Sequence, residues 1–106
     1  MALDISSEVI GKSAHVTLSG ELDSSTAPGV RQIVDKVLAD SPINLILHLE
    51  NLSFMASAGL RVIIFAKQKA PDLKVYVVKP QETILETLRK TGFYSGVYVV
   101  DEAPVV

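Results

Sequence analysis

The segment from Ile43 to Ile64 reads INLILHLENLSFMASAGLRVII, and its pattern decides the fold class. In the first half Ile43, Leu45, Leu47 and Leu49 recur with period two and so share one face of a strand over INLILHLENLSF. Ile46 is apolar on the opposite face, which predicts a central strand covered on both sides. In the second half, Leu60 to Lys69 carries Val62, Ile63, Ile64, Phe65 and Ala66. That is a helix apolar nearly all round, expected to be buried by neighbours on more than one side. A buried strand that passes through small residues into a buried helix is the building unit of an α/β sheet.

The flanking sequence extends this unit in both directions. Residues 3–10 alternate loosely and meet a turn signal at Gly11-Lys12. From Ser13 to Ser19, Ala14, Val16 and Leu18 face one way and His15, Thr17 and Ser19 the other, so the chain opens with a hairpin. Gly20-Glu21-Leu22-Asp23 breaks the alternation. Ser24, Ser25 and Thr26 then offer caps for a helix with Pro28 in its first turn. Val30, Ile33, Val34, Val37 and Leu38 follow at helical spacing as far as Asp40-Ser41-Pro42. Beyond the central segment, Leu73 to Val78 is a strand. Pro80 to Arg89 is an amphipathic helix with Ile84, Leu85 and Leu88 inward, stopped at Gly92. Val97 to Val100 is a last strand, and residues 101–106 read as a frayed tail. The order is β-β-α-β-α-β-α-β, one domain over residues 1–106, with a mostly parallel sheet after the hairpin.

Composition narrows the function. A chain of 106 residues, 48% hydrophobic and 21% charged, has enough apolar material for one packed core. It has no cysteine, hence no disulfide and no thiolate chemistry, which suits the reducing cytosol. A net charge of −2 leaves no electrostatic footprint for nucleic acid. The start, MALDISSEV, lacks the basic and apolar regions of a signal peptide, and no apolar stretch is long enough to insert in a membrane, so a cytoplasmic protein is expected. The two histidines, His15 and His48, both fall in strands, where a lone histidine is more often a hydrogen-bonded sheet residue than a ligand. With no HExxH and no clustered carboxylates, no metal site is expected. The six glycines never gather into a phosphate-cradling loop, so no nucleotide cofactor is expected either.

FMASAGLRVII, Phe54 to Ile64, stands apart because Ser57 lies where a strand's carboxyl end turns into a helix, the place where parallel sheets bind. Serine is among the best helix caps, and capping is one reading of Ser57. A hydrolase nucleophile elbow is another, but ASAGL lacks its flanking glycine pattern and no acid–histidine pair is placed for a triad. Binding rather than catalysis is the expectation.

GELD at Gly20–Asp23 followed by a helix, the strand INLILHLENLSF, and FMASAGLRVII together resemble the STAS domain of bacterial anti-sigma factor antagonists, over essentially the whole chain. The resemblance implies a mixed, mostly parallel sheet with helices packed mainly on one face. It implies a partner switch: the unphosphorylated protein binds an anti-sigma factor that is also a serine kinase, lets go when a serine at the helix start is phosphorylated, and is reset by a serine phosphatase. That serine falls on Ser57, and the family's Gly-Leu on Gly59 and Leu60. The partner-binding set it implies is Asp23, Ser24, Met55, Ala56, Ser57, Ala58, Gly59, Leu60 and Arg61. The chain departs from the family pattern at Ala56, where an acid is frequent, and at Ala58, where a second hydroxyl often sits; Ser57 is thus the one hydroxyl in Met55–Leu60. A second use of such a domain is as the accessory subunit of a transporter such as a lipid-transport ABC system; GELD and the serine favour the first.

Overall fold

A computed structural model describes residues 3–104, of Tyr94 the backbone only. Two strands, β1 (Leu3–Ile10) and β2 (Ser13–Leu22), form the opening hairpin, with Ile10 opposite Ser13. The two-residue turn between them needs a left-handed residue, which Gly11 supplies at φ 60°. Then come α1 (Ala27–Leu38), β3 (Asn44–His48), β4 (Leu52–Met55), α2 (Ser57–Lys69), β5 (Lys74–Val78), α3 (Glu82–Lys90), a 3-10 turn at Phe93–Gly96, and β6 (Tyr98–Val100). The sheet order is β1-β2-β3-β5-β6, antiparallel only at β1–β2, with β4 pairing the far end of β2.

Register assigns each face. Ala14, Val16, Leu45, Leu47, Val75 and Val77 sit in register on one face and belong to one buried cluster with Val30 and Val34 of α1, Ile63 and Ala66 of α2, and Ile84 and Leu88 of α3. All three helices therefore cover the same side. Each valine, leucine and isoleucine among them contributes about 1.5–3 kcal/mol on burial, so this layer dominates stability. The other face carries Glu8, His15, Ile46, Tyr76 and Tyr98 in one cross-strand row.

Four expectations change. INLILHLENLSF is two strands, not one: Glu50 and Asn51 turn between Leu49 and Leu52, both fully buried, and the Gly20 amide donates to the Asn51 carbonyl at 3.0 Å. Gly20-Glu21-Leu22 continues β2 instead of ending it. Gly20, at φ 120°, carries the period-two face on from Leu18 to Leu22, and the register shift beside it, a bulge, places one extra residue, Ser53, on β4. Ile46 is fully buried, but by its place between His15 and Tyr76, not by a helix layer. In α2 the buried residues keep to one face, while Ile64 is 38% exposed. No helix among the described residues is long and apolar enough to cross a membrane.

Candidate functional site

Beyond the bulge, the last residues of β2 run beside β4 to the start of α2. Leu22 pairs with Met55, and the next amide, Ala56, donates to the Leu22 carbonyl at 2.8 Å. GELD and FMASAGL, more than thirty residues apart in sequence, are thereby stitched into one corner. Gly59 lets α2 settle there: a Cβ at this position would stand 2.8 Å from Leu22 Cγ and Cδ2 and from Met55 Cγ. The small residue in the serine-glycine-leucine helix start is a packing requirement.

Ser57 is the first residue of α2, and extended Ala56 (φ −85°, ψ 172°) occupies the cap position, so Ser57 does not cap the helix. No side chain does. The Ser57 hydroxyl is exposed and has no hydrogen-bond partner among the described residues, which leaves it available for modification.

Asp23 builds the adjoining turn. Its carboxylate accepts from the Ser25 hydroxyl at 2.7 Å, the Ser25 amide at 2.9 Å and the Thr26 amide at 3.1 Å. The Thr26 hydroxyl accepts from the Asp23 amide at 2.9 Å and donates to the Glu21 carbonyl at 3.0 Å. The Ser25 hydroxyl, followed by the two amides, holds the Asp23 carboxyl below the ordinary carboxylate range. This revises the expectation that Ser24, Ser25 and Thr26 would cap α1 by themselves: Thr26 is the cap residue but makes no side-chain cap bond, and Asp23 organises the turn.

The nine residues expected to meet a partner divide by burial. Asp23, Ser24, Ala56, Ser57, Ala58 and Arg61 reach the surface of this corner. Met55, Gly59 and Leu60 do not: Met55 and Leu60 are 4% and 5% exposed, and they hold the corner together from beneath. Two residues the sequence did not single out join the surface. Phe54, 47% exposed, precedes the loop, and Arg31 of α1 lines a groove with Ala58 and Arg61. Phe54 reads as strand core by hydropathy, and only the bulged pairing opposite Glu21 turns it outward. Among the described residues no group of three or more His, Asp and Glu side chains is placed to hold a metal ion.

The family model for STAS domains matches residues 4–103. The anti-sigma-F factor antagonist RsfB of Mycobacterium tuberculosis is 30% identical over 56 residues, which are 53% of this chain and 46% of that protein. The match thus spans about half of that relative's length. The anti-sigma-B factor antagonist of Staphylococcus aureus is 26% identical over 101 residues, 93% of this chain and 94% of that one. The crystal structure of an anti-sigma factor antagonist from Mycobacterium paratuberculosis has a TM-score of 0.85 at 25% identity, covering 95% of this chain and 87% of that one.

Proposed function

The chain belongs to the STAS domain family, and from that membership we propose that it is an anti-sigma factor antagonist acting by binding, with Ser57 as its phosphorylation switch. The partner is an anti-sigma factor that doubles as a serine kinase, and a serine phosphatase reverses the modification. The observation that carries this reading is the Ser57 hydroxyl itself, exposed and without a hydrogen-bond partner among the described residues, on a corner shared with the Asp23 turn. The named relatives support the class of partner. A phosphoryl group would add about −1.5 to −2 charge at the start of α2. A helix start tolerates that charge, so the fold is kept while a partner seated over the loop meets bulk and repulsion.

The test is phosphotransfer from ATP by the kinase-type anti-sigma factor encoded nearest to this chain, followed by mapping of the modified residue. Phosphate on Ser57, none in Ser57→Ala, and loss of binding in Ser57→Glu are expected. Phosphate on Ser24, Ser25 or Ser53 would show the switch to be elsewhere.

A further inference from the structure

A groove between α1 and α2 opens beside Ser57. Its near end is lined by Ser24, Ala27, Pro28, Arg31, Ala58 and Arg61. Farther along, the Arg31 guanidinium lies 4.2 Å above the centre of the Phe65 ring, and an Asp35–Lys69 ion pair closes the far end. Charge is unevenly used along this line. Lys69 has its carboxylate, whereas neither Arg31 nor Arg61 has one among the described residues. The acid nearest in sequence to this end, Asp23, is committed to Ser25 and Thr26. Arg31 rests on an aromatic face and so has little rotamer freedom left to lose on binding an anion. Ala27 and Ala58 line the same end of the groove and leave room for an incoming side chain.

We infer that this end of the groove receives a carboxylate of the anti-sigma factor between Arg31 and Arg61, and that Arg61 is the residue through which modification of Ser57 closes it. The inference rests on the reading of Ser57 given above. An acidic side chain fits because the near end offers two cations and no acid, and Asp35, one turn from Arg31, is held by Lys69. Ser57 and Arg61 are four residues apart on α2 and so share a face. The anion lies on the N-terminal side of the cation, the favourable order for such a pair. A phosphate held on the same helix competes for Arg61 at high effective concentration against a carboxylate from a separate molecule. The partner then loses one attractive contact and gains a repulsive neighbour, and specificity for the unmodified state needs both.

Two measurements test this. Phosphoserine installed at position 57 during translation requires no kinase, and the phosphate can be titrated by phosphorus NMR. Its midpoint, ordinarily about 6, is expected at least roughly 0.3 lower in the wild-type background than in Arg61→Gln. Equal midpoints overturn capture by Arg61. The second measurement is calorimetric binding of the unphosphorylated chain to the anti-sigma factor. Arg31→Gln and Arg61→Gln are each expected to weaken it about fivefold or more at low salt, with the gap narrowing as salt rises. The melting temperature is expected to be unchanged in Arg61→Gln and only slightly lowered in Arg31→Gln, which also loses its contact with the Phe65 ring. If Ser57→Glu abolishes binding while both arginine variants bind like wild type, the groove is not part of the interface and this inference fails alone. If the wild type binds no kinase-type anti-sigma factor, the Ser57 reading fails first and takes this one with it.

Discussion

Gly59 and Leu22 pack so closely that a Cβ on the glycine would come within 2.8 Å of the leucine Cγ. Leu22 is 2% exposed and Met55, the other neighbour, 4%, so both are held inside the core. Gly59→Ala gains up to about 1 kcal/mol of helix propensity. Overpacking of a closed core costs about 1–3 kcal/mol, and with three atoms in conflict the clash outweighs that gain. A lower urea midpoint with unchanged slope is expected, and the same substitution should cost less in a Leu22→Ala background, because the two sites share the space. Additive effects would show that the strain lies elsewhere.

Asp23 carries a structural duty, whatever a partner makes of it. Removing its carboxylate strips an acceptor from the Ser25 and Thr26 amides at once. Asp23→Ala is expected to lower the melting temperature by several degrees, whereas Asp23→Asn keeps an acceptor and restores most of it. Because the folded carboxyl lies below its ordinary value, chiefly through Ser25, its contribution is present above about pH 4 and is lost as pH falls through the folded value. Wild type and Asp23→Ala should therefore converge in strong acid. If Asp23→Asn melts normally but binds the anti-sigma factor poorly, the charge also faces the partner.

Ala56 leaves a vacancy in chemistry rather than in shape. Its extended backbone is what a capping residue needs, yet alanine offers no oxygen, and the first turn of α2 contains no acid. Ala56→Asp is expected to stabilise the protein by about 0.5–2 kcal/mol, read as a higher urea midpoint. No gain would mean that the helix start is already satisfied by other groups.

Local pattern sufficed for much of this. The apolar spacing of Val30, Val34 and Val37 places α1, and the alternation of Ala14, Val16 and Leu18 gives β2 its inner face. Features that depend on pairing did not show. The break between β3 and β4 is hidden because Leu49 and Leu52 are both apolar, and only their successive pairing with β2 separates them. The extension of β2 was masked because Gly20, which continues the Ala14-Val16-Leu18 face towards Leu22, has no side chain to mark the period, while the extra residue of the bulge, Ser53, lies on β4. The Ser57 corner was legible as a motif. The burial of Met55 and Leu60 beneath it, and the approach of Arg31 from another helix, follow from tertiary packing that no local window contains.

His15 and His48 are the sharpest case, 33 residues apart yet bonded across β2 and β3. Nδ1 of His15 lies 3.0 Å from Nε2 of His48, the ring planes differ by 17°, and the centroids are 5.2 Å apart. The centroid separation is the nitrogen–nitrogen distance plus about two ring radii, so the rings meet edge to edge. One nitrogen must donate and the other must keep its lone pair, and protonating both turns two N–H groups against each other. Glu8 stands opposite His15 on β1, while Val78 flanks His48 on β5 and offers it no charge. Burial, and secondarily the charge of His15, hold His48 below the ordinary histidine range. In the unfolded chain His48 takes its proton near pH 6.5, whereas the folded chain resists it. Between those two values the unfolded state binds more protons, and stability falls as pH falls. The urea midpoint is therefore expected to decline from about pH 7.5 to about pH 5, and His48→Gln should flatten that decline. At the upper pH, His48→Ala should cost about 0.5–1.5 kcal/mol for the lost bond. An unchanged pH slope in His48→Gln would assign the acid sensitivity to other groups and leave the histidine pair a neutral seam of the sheet.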